Sequence, residues 1–259
     1  MADSVAGVVL AAGGGTRLRP LTRIRPKALC PVANVPLVDH AIRRVAQHTP
    51  DIAVNVHHGR EPMEQHLAGR VHLSIEEHHA LGTAGGLAHL AGWLDGRHAL
   101  VTNVDAYLPA TSVDVVGLVD GWDRERVRLL VVVDDARPDF AGTTYRYAGL
   151  CLLPAQALAR LPVDDGTPAG LYETTWRAAH ERGRIDFVVH DGTFIDCGTP
   201  RDYLAANLDA SGGESVVGPG ALVEGELVRS VVWPGAVVYR AERLVDGIKA
   251  TELTAVLVR

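Results

Sequence analysis

Short apolar runs alternate along the chain with segments whose apolar positions recur at helical spacing. Val5-Ala6-Gly7-Val8-Val9-Leu10, Ile52-Ala53-Val54-Asn55-Val56 and Ala99-Leu100-Val101-Thr102-Asn103 read as buried strands, with another near 71–75. Between them Leu37, Val38, Ala41, Ile42 and Val45 share a helical face that can begin at Pro36. A second helix is expected over about 61–67, and Leu87, Leu90 and Leu94 mark a third. This alternation predicts a Rossmann-like, mainly parallel α/β sheet with helices on both faces. Ligands of such sheets bind at the carboxyl ends of the strands. The second half adds strands at 128–133, 145–153 and 185–189, a helix over 171–181 carrying Glu173, and a helix over 200–208 that Pro200 can start.

Beyond 208 the pattern changes. Residues 209–214 read as a linker, and Ser215-Val-Val-Gly-Pro-Gly-Ala-Leu-Val223 is echoed by Ser230-Val-Val-Trp-Pro-Gly-Ala-Val-Val238. Short strands with Pro-Gly corners in tandem predict coils of a β-solenoid. About three repeats are normally needed for stability, so two must pack on another surface, either the rest of the chain or a second copy through the tail. The expected division is therefore 1–208 and 209–259.

An apolar fraction of 47 % over 259 residues is enough for a proper core. No apolar run reaches the roughly 18 residues of a membrane span, and no basic-then-apolar leader opens the chain, so a cytoplasmic protein without a membrane partner is expected. Cys30, Cys151 and Cys197 are widely spaced and read as reduced core residues. His57-His58 and His78-His79 lack the spaced partners of a structural zinc site and read as surface-loop residues.

Charge makes the first loop distinctive. After the first strand, Ala11-Ala12-Gly13-Gly14-Gly15-Thr16-Arg17-Leu18-Arg19-Pro20 leads to Pro26-Lys27, with cations at 17, 19, 23, 25 and 27 and no acid from Ala11 to Val38. Glycines bring backbone N–H groups close to a ligand, and a local positive field in a chain of net charge −6 favours a small polyanion, a nucleoside triphosphate, over nucleic acid. A Walker loop is excluded because Thr16-Arg17, not Lys-Ser/Thr, follows the last glycine. A dinucleotide fingerprint is excluded because Leu18 stands where its third glycine belongs. Only two lysines, Lys27 and Lys249, accompany 23 arginines, so Lys27 stands out as a compact cation for a single phosphate oxygen. The fork of Arg17 suits two oxygens of a leaving pyrophosphate. Leu81-Gly82-Thr83-Ala84-Gly85-Gly86 opens a helix with unobstructed N–H groups, which suits a base or a sugar hydroxyl and equally suits close helix packing. Asp105 emerges past a strand end, and Asp196 precedes a Gly-Thr-Pro turn; each is a candidate Mg²⁺ carboxylate.

Taken together, these motifs resemble the sugar-1-phosphate nucleotidylyltransferases, and among them mannose-1-phosphate guanylyltransferases and their bacterial relatives. The resemblance spans about 5–208, with a tail similar to a truncated left-handed β-helix. It implies that Ala12, Gly13, Gly15 and Thr16 hold nucleotide phosphates, Arg17 the β- and γ-phosphates, and Lys27 the reacting phosphates. It further implies that Gly82 approaches the base, Asp105 and Asp196 hold Mg²⁺, and Glu173 serves the acceptor. The reaction implied is in-line attack of an acceptor phosphate on the α-phosphorus of a triphosphate, guanylyl- or uridylyl-transfer being the nearest types. One departure stands out: relatives carry a longer stretch ending in Glu-Lys-Pro between the strands at 128–133 and 145–153, whereas residues 134–144 here contain no lysine. Arg137 or Arg146 is the substitute cation expected at the acceptor phosphate. The rival readings are a nucleotide-sugar-binding paralogue without turnover and, more distantly, a Rossmann dehydrogenase.

Overall fold

The computed structural model describes residues 4–109, 113–162 and 167–258. The chain forms two compact units, Met1–Gly13 with Ala41–Phe194, and Gly14–His40 with Ile195–Arg259. The chain passes from one to the other after Gly13, after His40 and after Phe194.

The first unit is built on a seven-stranded sheet of β1 (Val5–Leu10), β2 (Ile52–Val56), β3 (His72–Ile75), β4 (His98–Asn103), β5 (Val127–Val133), β6 (Tyr145–Leu153) and β7 (Ile185–Val189), in the order β7-β5-β6-β4-β1-β2-β3. It is mixed α/β and mostly parallel: β1 runs parallel to β2 and β4, β2 to β3, and β5 to β7. Strand β6 alone runs antiparallel, to both β4 and β5. The cause is the short connection from β5, since a hairpin can only join antiparallel strands while a parallel crossover needs a dozen or more residues. All of β1 and β2 is buried, as strands covered on both faces require. Helix α1 (Leu37–Val45) brings Val45 against β1 at Gly7, where a Cβ would stand 3.2 Å from the valine.

Two helices depart from the simple pattern. The third breaks into α2 (Gly82–His89) and α3 (Ala91–Leu94) around a non-helical Leu90, yet Leu87, Leu90 and Leu94 are buried as their spacing predicts. The 171–181 segment begins as a π turn, Tyr172–Trp176, before α4 (Arg177–Glu181). Leu171 and Trp176 are five residues apart and both enter the core; the i→i+5 turn puts them on one side where an α-helix would not. Among the described residues no helix is long and apolar enough to cross a membrane.

In the second unit, three 3₁₀ turns (Thr16–Leu18, Leu21–Arg23, Lys27–Leu29) lead into a hairpin, Pro31–Val32 with Val35–Pro36. Ala33 and Asn34, at φ 48° and 65°, form its two-residue corner. Helix α5 (Pro200–Ala210) starts at the proline, with Thr199 as its N-cap, and extends two residues beyond the expected end into the linker. It receives the hairpin through Asn207, whose Oδ1 accepts from Ala33 N at 3.0 Å. The tail is a stack of short parallel ladders: Val216 pairs with Val231 and that with Ile248, Leu222 with Val237, and Glu226 with Arg243. The repeat differs at two positions, Gly218 against Trp233 and Leu222 against Val237. Trp233 is 1 % exposed, donates from Nε1 to Tyr203 Oη at 3.0 Å, and carries the Arg25 guanidinium 4.8 Å above its ring. Tyr203 donates in turn to the Pro31 carbonyl. Lys249 is buried and paired with Glu242 at 2.6 Å, a structural use of the second lysine.

All three cysteines are buried, and none forms a disulfide. Burial pushes the Cys30 and Cys151 thiols up to about 12, and lifts the Tyr147 and Tyr203 phenols well above their usual value. Below about pH 8, a full unit under the unfolded thiol value of 9.0, these groups are neutral in both folded and unfolded chains and contribute no pH dependence. Above it the unfolded chain releases protons that the folded chain retains, so stability falls. Urea midpoints are expected to decline steadily from pH 9 toward 11; a flat profile there would mean that the four groups are solvated.

Candidate active site

In the first unit the strand order reverses between β1 and β4, the place where open α/β sheets bind ligands. Leu10 is in register with Asn103, and Val104 N donates to Leu10 O at 3.1 Å. Consequently Ala11-Ala12-Gly13 and Asp105 leave the sheet side by side. Ala12 is buried and Gly13 exposed, with open space where its Cβ would stand. The turn bearing Asp105 is braced by the buried Arg44, whose guanidinium donates to Thr102 Oγ1 and Ala106 O, both at 2.6 Å. Behind the turn, a Cβ on Gly149 of β6 would overlap that of Ala106, and its φ of +78° is left-handed. Only glycine allows the chain after Asp105 to approach β6 so closely.

A buried polar chain joins this loop to the Gly82 loop. Ala11 N donates to Asn55 Oδ1 (2.6 Å), Asn55 Nδ2 to Glu76 Oε1 (2.7 Å), and Leu81 N to Glu76 Oε2 (2.8 Å). Asn55 is 2 % and Glu76 3 % exposed. Gly86 makes room for the pair, since a Cβ there would be 2.6 Å from Asn55 Nδ2. His57 and His58 lie in a loop as expected, His58 exposed and His57 half-buried, and they contact the Glu76 and Ala12 carbonyls through Nδ1 at 2.7 and 3.1 Å. Sequence reading missed Asn55 and Glu76; the available signal was a polar residue inside an otherwise apolar strand. Glu76→Ala leaves the Asn55 amide and Leu81 N–H without their acceptors, each loss costing about 1–3 kcal/mol. The urea midpoint should drop with unchanged m-value, whereas an unchanged midpoint would show the chain of bonds to be incidental.

Gly82 has φ +78°, and a Cβ on it would lie 2.5 Å from Ala169 O. The loop is stitched to that segment by Ala169 N to Leu81 O, Ala84 N to Ala169 O, and Leu171 N to Thr83 Oγ1. Close packing thus requires this glycine. Glu173 is exposed on the π turn that follows. Residues 134–144 fold on themselves: Asp134 N donates to Thr144 O, Asp139 N to Tyr145 O, and Phe140 is buried. Arg146 points its Nη1 at Asp134 Oδ2 (3.4 Å), with its guanidinium 5.5 Å from the centre of the Phe194 ring. Arg137 stands 3.8 Å from the same carboxylate and is far more exposed.

The second unit carries the remaining residues. Gly15 has φ +57°, and a Cβ on it would stand 2.8 Å from Thr22 Cγ2 and 3.0 Å from Lys27 Cβ. Gly15 is therefore fixed by conformation and by contact at once, and it sets the Lys27 stem against the loop. Thr16 and Arg17 are exposed, while Leu18 is wholly buried and anchors the turn. Arg17 Nη2 lies 3.6 Å from Asp196 Oδ2, with Gly198 against both side chains. A 3.6 Å pair whose arginine is exposed is worth at most about 1 kcal/mol, so it orients Arg17 without resisting an arriving phosphate. Of the other loop cations, Arg25 is committed to Trp233.

Among the described residues no group of three or more His, Cys, Asp or Glu converges as a metal cage. What the chain offers a divalent cation is single carboxylates, Asp105 and Asp196. Hard oxygen donors of this kind suit Mg²⁺, which is usually held by one or two carboxylates together with substrate phosphates.

A glycine loop and an acidic turn leaving the paired ends of β1 and β4, in a mostly parallel sheet, define a nucleotide-handling α/β protein. The sequence matches the MobA-like NTP transferase domain over residues 7–244, and the chain belongs to that family, as a nucleotidyltransferase. It is 31 % identical over 231 residues to the N-acetylmuramate alpha-1-phosphate uridylyltransferase of Caulobacter vibrioides, covering 77 % of this chain and 94 % of the relative. With the mannose-1-phosphate guanylyltransferase of Mycobacterium tuberculosis it shares 26 % identity over 273 residues, 94 % of this chain and 74 % of that one. The inositol-1-phosphate CTP transferase of T. maritima has the same fold, with a TM-score of 0.63 at 15 % identity over 78 % of this chain and 92 % of that one.

Proposed function

We propose that the chain transfers a nucleotidyl group from a nucleoside triphosphate to a sugar 1-phosphate, yielding an NDP-sugar and pyrophosphate with the aid of Mg²⁺. The observation that carries this is the Leu10–Asn103 register, which sends the glycine loop and Asp105 out of the sheet together at its switch point. The acceptor phosphate oxygen forms a bond to the α-phosphorus as the bond to the β-phosphate bridging oxygen breaks, and that oxygen leaves on pyrophosphate. No side-chain nucleophile is required, so catalysis rests on positioning and charge neutralisation. Backbone amides at Ala12, Gly13, Gly15 and Thr16 receive the phosphates, Arg17 neutralises the leaving group, and Lys27 meets the reacting phosphates. Asp105 and Asp196 are the carboxylates for the metal, which when bound supplies charge stabilisation to the phosphoryl oxygens. Gly82 approaches the base. Glu173 and Arg146 serve the acceptor, Arg146 being oriented by Asp134.

A bulky acceptor is favoured. The 134–144 turn is short, and a relative named for N-acetylmuramate 1-phosphate shares 31 % identity. We further propose that residues 1–208 are the catalytic part and that the 209–259 tail is a partial left-handed β-helix that carries any self-association. The reading without turnover, a nucleotide-sugar-binding paralogue, has the same binding residues and differs only in releasing no pyrophosphate.

The division of roles between the two cations is testable. Arg17→Ala should weaken triphosphate binding on the order of 10- to 100-fold, as loss of a charge-assisted contact implies. Lys27→Ala should lower kcat more than affinity, because its contact strengthens as charge redistributes in the transition state. Calorimetric triphosphate affinities alongside steady-state kinetics decide it. Equal losses of binding and rate in both variants would contradict the division.

A further inference from the structure

At the amino-terminal edge of the sheet, opposite the glycine loop, a cleft of about 310 Å³ opens in the first unit. Its position follows from the chain path: Val127 begins β5, Arg184 immediately precedes β7, and Arg160 follows the descent of antiparallel β6. Arg160, Arg182 and Arg184 line it with Gln156 and Thr175, against a single acid, Glu125. The adjacent arginines are paired, Arg126 with Asp123 at 2.7 Å and Arg128 with Asp186 at 2.6 Å. Among the described residues the three cleft arginines have no carboxylate partner. In a chain with 31 acidic and 25 basic residues, partners are not scarce. Three guanidinium groups from two segments, Arg160 on one and Arg182 with Arg184 on the other, line one concavity and repel one another unless an anion sits between them.

We propose that this cleft is a second binding site for a small oligophosphate anion, separate from the nucleotide-handling edge. Guanidinium forks match phosphate oxygens two at a time, and the Gln156 amide and Thr175 hydroxyl add neutral donors. The volume stands at the low end of small-ligand pockets, which fits pyrophosphate or the phosphate tail of a nucleotide and excludes a polymer lying along a stripe. The proposal does not depend on the transferase reading.

Isothermal titration of the full chain with sodium pyrophosphate, at low ionic strength, tests it. The Arg17→Ala variant, weakened at the glycine loop, should still bind pyrophosphate at one site. Adding Arg182→Ala and Arg184→Ala should lower that affinity at least about tenfold, and further salt should weaken it again, while circular dichroism stays constant because both side chains are exposed. Uridine and guanosine diphosphate titrated in parallel distinguish the sources: affinity equal to pyrophosphate assigns bare oligophosphate, tighter binding assigns a nucleotide. Absence of binding to Arg17→Ala, or binding indifferent to the cleft substitutions, overturns the site. NDP-sugar formation by the Arg182→Ala/Arg184→Ala chain with Arg17 intact should match that of the unsubstituted chain, so failure of the cleft and failure of the transferase reading are read separately.

Discussion

Asp105→Asn and Asp196→Asn each lower turnover by about a thousandfold or more while the fold survives. Asparagine keeps the shape and one oxygen but removes the charge that a hard cation requires, and metal stabilisation of phosphoryl charge is worth several kcal/mol, each 1.36 of which is a factor of ten. Stability should hardly move, for reasons particular to each position. The Asp105 turn is held by Arg44 to Thr102 and Ala106 and by Val104 N to Leu10 O, bonds that do not use the carboxylate. At Asp196 the change weakens the 3.6 Å pair with the exposed Arg17, a contact worth little to stability. Kinetics across Mg²⁺ concentrations with a melting curve for each variant is the measurement. Near-normal metal-dependent rates in either would remove that residue from the site.

Trp233→Ala is the second large effect, and it acts on stability. The indole is 1 % exposed and hydrogen-bonded to Tyr203, which in turn bonds the Pro31 carbonyl, so one side chain ties the tail to α5 and to the segment after Lys27. Truncating a buried tryptophan costs about 3–5 kcal/mol, and at roughly 2–4 °C per kcal/mol for a chain of this size the melting temperature should fall by about 10 °C. The Tyr203 hydroxyl also loses a partner, and Arg25 loses the ring beneath it. Because Arg17 and Lys27 belong to the same compact unit, triphosphate affinity should decline as well. A Trp233→Phe variant keeps the packing and drops the hydrogen bond, so it should recover most of the loss. A melting temperature unchanged in the alanine variant would show that the tail is passive.

Strand and helix positions were legible because continuous apolar runs and period-3.6 burial both depend on local sequence alone: β1, β2 and β6 lie where their apolar runs put them. Helix α5 starts at Pro200 for the same local reason. The direction of β6 was recoverable from its short connection and was not inferred. The break at Leu90 and the π turn at Tyr172–Trp176 were not legible, since each is imposed by what the segment packs against. The glycine loop announced itself by composition, but the reasons differ from glycine to glycine: Gly15 is fixed by conformation and contact, Gly13 by neither. Arg44, Asn55 and Glu76 were hidden because their partners are separated from them by 58, 44 and 21 positions in sequence. No spacing rule brings such residues together; only the folded sheet does.

Pyrophosphate release tests the central claim most directly. The full chain is mixed with Mg²⁺, each of the common nucleoside triphosphates and a panel of sugar 1-phosphates that includes N-acetylmuramate 1-phosphate, and pyrophosphate is followed continuously. Release should require both substrates and the metal, favour a bulky acceptor, and disappear in Asp105→Asn. Binding of triphosphate and NDP-sugar, seen as raised melting temperatures, without pyrophosphate from any pair would contradict transfer and leave a nucleotide-sugar-binding protein.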